Sequence, residues 1–204
     1  MKGYYFITNS RLSRSGNISD VKSAVSAGAP LVQYRYKTSD PEEMFEEAFA
    51  LRKICRKTRF LLNDRVEIAL MAGADGVHLG QGDISCASAR KLLGKGKIIG
   101  VTVRTVRQAV GAWKNGADYV AVGPVFKTGT KLDAGTPVGV SMVKKVRKAV
   151  PIPVAAIGGI TLENAPAVIE AGADLICAIS PVVTKRDVKS EILKFQALFR
   201  AHSK

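Results

Sequence analysis

The sequence predicts an α/β fold, a single (β/α)8 (TIM) barrel over residues 1–204. Three observations predict it. A short motif built on Ala-Gly-Ala recurs at Gly28, Gly73, Gly116 and Gly172, at intervals of 45, 43 and 56 residues. Each of the three intervals has room for two strand–helix units and holds one further apolar run, and a fourth such run, residues 4–8, precedes the first repeat. Four repeats and four further runs make eight strands, and alternating strands and helices imply a parallel sheet that eight units can close. The competing arrangement is a doubly wound open sheet. The absence of a GxGxxG fingerprint after the first strand weighs against it as a dinucleotide-binding domain.

Each element has its own signal. Residues 4–8 form the first apolar run. Ala27-Gly28-Ala29 closes the following helix, with glycine at the left-handed cap, and leads into the strand Leu31-Val32-Gln33-Tyr34. Asp40-Pro41-Glu42-Glu43 supplies an N-cap, a proline in the first turn and an acidic start for the second helix. Ala48, Leu51 and Cys55 continue that helix as an apolar stripe. Residues 60–63 are the third strand, and Ala72-Gly73-Ala74-Asp75 introduces the fourth at 76–79. Residues 98–101 are the fifth, and Asn115-Gly116-Ala117-Asp118 introduces the sixth at 119–122. The glycine-rich stretch 127–139 reads as a mobile loop. Residues 154–157 are the seventh strand, and Ala171-Gly172-Ala173-Asp174 introduces the eighth at 175–178. Residues 191–200 form a closing helix that buries Ile192, Phe195 and Phe199.

Bulk properties narrow the function classes. A hydrophobic fraction of 47% suffices for one core. No apolar run approaches the ~18 residues of a membrane span. The apolar N-terminal run is too short for a signal peptide, so no membrane role and a cytoplasmic location are expected. Cys55, Cys86 and Cys177 form no CxxC pair or Cys/His cluster, and read as small buried hydrophobes rather than zinc ligands or disulfides. The net charge of +14 is spread along the chain without an aromatic-basic stripe. It suits a basic surface that attracts anionic small molecules, and no nucleic-acid partner is expected.

Candidate chemistry gathers at the strand ends. Gln33, Arg35 and Lys37 share one face of the second strand, while Tyr34 and Tyr36 share the other. Two cations and an amide on a barrel's inner face need an anion; a strand end emerging into water is the plainer reading. Asn63 and Asp64 end the third strand, and Asp83 follows the fourth. The two carboxylates suit either a shared Mg²⁺ or two helix N-caps, the first with Glu67 as its capping-box partner. Gly158 and Gly159 after the seventh strand, with Ser180-Pro181 after the eighth, occupy the places where this barrel builds phosphate sites. Thr128-Gly129-Thr130-Lys131 offers hydroxyls, amides and a cation to an anion under a closing loop; an ordinary polar loop has the same composition. His78, inside an apolar strand, reads as a hydrogen-bonded structural residue.

Taken in order, several pieces carry a family likeness: Gln33-Tyr34-Arg35-Tyr36-Lys37, Asn63-Asp64-Arg65, Gly76-Val77-His78-Leu79-Gly80-Gln81 with Asp83, and Gly123-Pro124-Val125-Phe126 with Thr128-Gly129-Thr130-Lys131. Ala156-Ile157-Gly158-Gly159-Ile160 and Ile179-Ser180 complete it. With these the chain resembles the thiamine phosphate synthase family over nearly its whole length. The resemblance implies a Mg²⁺-dependent transferase with phosphorylated pyrimidine and thiazole substrates. Hydroxymethylpyrimidine diphosphate loses pyrophosphate, and a thiazole phosphate, or its carboxylated form, captures the methylene carbon to give thiamine phosphate. It further implies that Gln33, Arg35, Lys37, Asn63 and Lys131 hold the pyrimidine diphosphate, with Arg35, Lys37 and Lys131 supplying catalytic charge. By the same likeness Asp64 and Asp83 hold Mg²⁺, and Thr128, Gly129, Thr130, Gly158, Gly159, Ile179 and Ser180 hold the thiazole phosphate. The family's Gly-Val-Ser-x-His-Thr segment reads Gly100-Val101-Thr102-Val103-Arg104-Thr105 here, so Thr102 takes the serine's place against the pyrimidine diphosphate. A related thiazole tautomerase branch uses the histidine that Arg104 replaces. That branch and a basic nucleic-acid-binding barrel are the two alternatives.

Overall fold

The computed structural model describes residues 1–36, 40–130 and 134–201. Strand β1 (Gly3–Ile7) leads to α1 (Gly16–Ser26), β2 (Leu31–Tyr34), α2 (Pro41–Ile54) and β3 (Arg59–Asn63). The order continues through α3 (Val66–Met71), β4 (Gly76–Leu79), α4 (Cys86–Leu93), β5 (Ile98–Val103), α5 (Val106–Lys114) and β6 (Tyr119–Val122). It ends with α6 (Val140–Ala149), β7 (Val154–Ile157), α7 (Ala165–Glu170), β8 (Leu175–Cys177), α8 (Ser180–Val183) and α9 (Val188–Ala201). Every strand pairs in parallel with the next, and β8 returns to β1, so the sheet closes in sequence order. This is the (β/α)8 barrel that the repeats predict. The differences are at element ends: β5 extends to Val103, and β8 stops at Cys177.

Strand alternation sorts the core into two layers. Tyr4, Phe6, Val32, Phe60, Leu62, Val77, Val120 and Ile176 face outward and pack beneath the helices. Tyr5, Ile7, Leu31, Leu61, Tyr119, Ala121, Ala155, Leu175 and Cys177 fill the barrel interior. The stripe Ala48, Leu51 and Cys55 is buried, as are Ile192, Phe195 and Phe199 of α9. Asp40 caps α2 as its sequence predicts, accepting from the Glu42 and Glu43 amides at 2.9 and 3.3 Å. Cys55 and Cys177 are buried; Cys86 is not, and half-exposed at the start of α4 it directs its thiol to the Asn115 carbonyl at 3.4 Å.

The repeated glycines do what the motif demands. Gly28, Gly73, Gly116 and Gly172 have φ of 73°, 66°, 91° and 99°, the left-handed turn that ends a helix and starts a strand. The aspartates that follow three of them act as bolts at the amino end of the barrel. Asp75, Asp118 and Asp174 accept from the amides of Phe60, Ile99 and Val154, at 2.8, 2.7 and 2.9 Å. Each also pairs with an arginine of the even helix before it: Arg52, Arg90 or Arg147. These contacts leave the carboxyl end of the strands free for the site.

Candidate active site

One cavity of about 380 Å³ opens at the carboxyl end of the strands, within the size range of small-molecule sites. Its wall contains Gln33, Arg35, Asn63, Thr102, Thr128, Gly129, Thr130, Gly158, Gly159, Ile179 and Ser180. Lys37 and Lys131 lie outside the described residues. Asp64 and Asp83 do not line the cavity; they stand beside it, beyond the ends of β3 and β4.

On β2 the alternation holds as read from the sequence. Gln33 points inward and is buried, and Arg35 follows it on the same face. The Thr8 hydroxyl fixes the Arg35 backbone, accepting from its amide at 2.8 Å and donating to its carbonyl at 3.2 Å. Tyr34 and Tyr36 stack on the outer side with ring centroids 6.1 Å apart, and their hydroxyls donate to Glu47 and Glu43.

The structure decides between the two readings of the carboxylates as far as helix caps are concerned. Neither Asp64 nor Asp83 is an N-cap: the cap positions of α3 and α4 belong to Arg65 and Ser85. Asp64 instead has a φ of 65°, and the Arg65 amide donates back to the Asn63 carbonyl at 2.7 Å. A bond spanning two residues around a positive φ is the strained form of the γ-turn, and such strain costs about 1–3 kcal/mol. The turn brings the Asp64 carboxyl into hydrogen-bonding reach of Asp83. Burial, then the hydrogen bond and charge of Asp83, push its pKa up to about 7, against the opposing pull of Arg35 and Asn63. Two carboxylates so close must share a proton or a cation. This donor set fits a hard dication that takes its remaining ligands from water or phosphate. Among the described residues, no third His, Cys, Asp or Glu joins them.

The opposite side of the cavity is built from the loops after β6, β7 and β8. Gly158 and Gly159 both have positive φ, at 101° and 64°. A Cβ on Gly158 would lie 2.6 Å from Pro124 Cα, and one on Gly159 would lie 2.4 Å from the Lys127 carbonyl. Only glycines let this turn pass against the β6 loop, where the Phe126 amide donates to the Gly158 carbonyl at 2.9 Å. Thr130 Oγ1 donates toward Ser180 Oγ at 3.4 Å, bridging the β6 loop to the start of α8. With four residues, α8 contributes little dipole, so hydroxyls and loop amides are the available anion donors here.

Two features escaped the sequence reading. His78 lines the cavity as well as serving the barrel, with Nδ1 2.7 Å from Tyr119 Oη and Nε2 2.8 Å from Thr102 Oγ1. Arg104 donates to the carbonyls of Ala134 and Thr136 at 2.7 Å each, tethering the β6 loop. Neither contact has a local sequence signal, because each joins segments that meet only in the closed barrel. Cys177, which also lines the cavity, is not an activated nucleophile: burial pushes its thiol well above its ordinary range.

A family model described as thiamine monophosphate synthase matches residues 4–182. A thiamine-phosphate synthase of Methanosarcina mazei is 49% identical over 198 residues, covering 97% of this chain and 82% of that one. Its counterpart in Methanospirillum hungatei is 45% identical over 199 residues, covering 96% and 97%. Among solved structures, a thiamine phosphate pyrophosphorylase from Pyrococcus furiosus superposes with a TM-score of 0.91 at 35% identity, covering 99% of this chain and 97% of that one.

Proposed function

Since the chain belongs to the thiamine-phosphate synthase family, transferases of thiamine biosynthesis, we propose that it couples hydroxymethylpyrimidine diphosphate to hydroxyethylthiazole phosphate, or to its carboxylated form with loss of the carboxyl group as CO2, giving thiamine phosphate and pyrophosphate. The observation that carries the reading is the gathering of eleven residues of the family likeness around one cavity, with the Asp64–Asp83 pair beside it.

In this reading Gln33, Asn63 and Thr102 hold the pyrimidine diphosphate. Thr128, Thr130, the Gly158–Gly159 turn and Ser180 hold the thiazole phosphate. The bond from the methylene carbon to the diphosphate oxygen breaks, and the electron pair leaves with pyrophosphate. The pyrimidine ring stabilises the resulting cation, and the thiazole nitrogen supplies the pair for the new bond. No proton is removed in that step, so no base is required. What the site must provide is positive charge against the leaving group and a fixed neighbour for the cation. Arg35, Lys37 and Lys131 supply charge. Mg²⁺ bound by Asp64 and Asp83 would add to it.

The tautomerase alternative needs a proton-transfer group at position 104. Arg104 spends its guanidinium donors on loop carbonyls and has no basic lone pair to offer. The test mixes both phosphorylated precursors with the enzyme, with and without Mg²⁺. Thiamine phosphate and pyrophosphate are expected in equal amounts, and only with the metal. Rapid isomerisation of thiazole carboxylate phosphate without coupling would replace this reading with the tautomerase, and full coupling in excess chelator would remove the metal.

A further inference from the structure

An unbroken line of hydrogen bonds crosses the barrel floor beneath the cavity. Gln33 Nε2 donates to Tyr5 Oη. Tyr5 Oη lies 2.8 Å from Tyr119 Oη, which lies 2.7 Å from His78 Nδ1. His78 Nε2 lies 2.8 Å from Thr102 Oγ1. All but Thr102 are buried, and Gln33 and Thr102 both line the cavity, so the line begins and ends at the cavity wall.

We infer that Tyr5, Tyr119 and His78 are positioning residues whose one-way hydrogen-bond chain couples the Gln33 amide to the Thr102 hydroxyl. The inference rests on the proposed reading of this site as a synthase. The direction follows from proton counting. A tyrosine hydroxyl carries one proton. Because Tyr5 accepts from Gln33, its own proton goes to Tyr119. Tyr119 then donates to His78 Nδ1, which must be the unprotonated nitrogen. Nε2 carries the proton and donates to Thr102, so the Thr102 proton is left to point into the cavity. Burial raises the pKa of both tyrosines far above the ordinary value, so their protons stay in place. The cavity thus presents an acceptor, Gln33 Oε1, on the β2 side and a donor, the Thr102 hydroxyl, on the β5 side. That polarity selects a ligand with an N–H at the Gln33 end and an acceptor-only oxygen at the Thr102 end. An aminopyrimidine carrying a diphosphate has both. Reversing any one bond reverses the rest, so the two ends cannot be changed independently.

The test reads the tautomer of His78 in the full, ligand-free chain labelled with ¹⁵N-histidine. The sequence has two histidines, and His202→Gln assigns them. The Nε2–H form is expected in the wild type. Gln33→Glu places an acceptor against Tyr5, which should reverse the line and shift His78 to the Nδ1–H form. Tyr5→Phe severs it and should give a mixture. A wild-type Nδ1–H form or imidazolium overturns the inference. So does an unmoved tautomer in Tyr5→Phe at an unchanged melting temperature, even where Gln33→Glu does not fold. In turnover, Tyr119→Phe should raise KM for the pyrimidine diphosphate roughly tenfold, about one hydrogen bond, and leave KM for the thiazole phosphate alone. Equal effects on both would also overturn it. Failure of the synthase reading looks different, because the predicted spectra would then accompany a wild type that forms no thiamine phosphate.

Discussion

Asp64 holds a backbone conformation that only it, among the described non-glycine residues, adopts, and it does so beside a second carboxylate. Its raised pKa, about 7, couples folding to pH. An unfolded aspartate titrates near 3.9. Between about pH 4 and about pH 7 the folded chain therefore binds more protons than the unfolded one, and stability falls as pH rises. The contribution is complete below the unfolded value and lost as pH passes the folded one. The melting temperature of the metal-free protein should decline between about pH 4 and about pH 7, and Asp64→Asn should flatten that decline. Mg²⁺, proposed to sit on this pair, would replace the shared proton, so it should stabilise more at the higher pH and release protons on binding near pH 6. Calorimetry in buffers of different ionisation enthalpy reads the release. Metal binding with no proton exchange, or the same pH slope in Asp64→Asn, would sink the paired-carboxylate account. In the sequence, cap and ligand readings of Asp64 and Asp83 balanced because both place an acid just past a strand. The positive φ that turns one acid toward the other is a tertiary fact.

At the scale of the element, the loop between β6 and α6 departs from its sequence reading. Its glycines predict a mobile segment throughout, yet its second half is tied down. Arg104 grips the Ala134 and Thr136 carbonyls, and the Val138 and Gly139 amides donate to Pro124 and Val125. Composition reports what a backbone can adopt and not what a distant arginine holds, so this was not legible. The first half joins the rest of the site through the Thr130–Ser180 contact. Two charge-assisted bonds are worth a few kcal/mol at most. Arg104→Ala should therefore speed proteolysis within 127–139 about tenfold or more, with global melting nearly unchanged. Arg104→His, which restores the family's usual residue, should do the same, since an imidazole cannot span both carbonyls. Identical cleavage rates in all three proteins would show that the tether does not limit opening.

For the whole molecule, the repeats made the eight strands legible, because a parallel strand buried on both faces must be an apolar run and each odd-numbered helix, α1, α3, α5 and α7, ends in a left-handed glycine turn. The third part of the motif, the aspartate, did not disclose its role. Asp75, Asp118 and Asp174 each join an odd strand to the even helix before it, through a strand amide and an arginine. The first repeat has Pro30 where the aspartate would stand. There Gln196 of α9 accepts from the Tyr4 amide at 3.2 Å and donates to the Gly28 carbonyl at 3.0 Å, so the last helix bolts the first unit and closes the ring. Removing one bolt strands a part-buried amide and takes the carboxylate from an arginine that keeps its carbonyl partners, a loss of about 1–3 kcal/mol. Asp75→Ala and Asp174→Ala have no partner in common, so the double variant should lose the sum of the two within about 0.5 kcal/mol. Because the bolts lie at the amino end and the cavity at the carboxyl end, the folded variants should keep kcat while their melting temperatures fall. A matching drop in kcat at temperatures where each variant is fully folded would show that the two ends are coupled and that the barrel does not separate stability from chemistry.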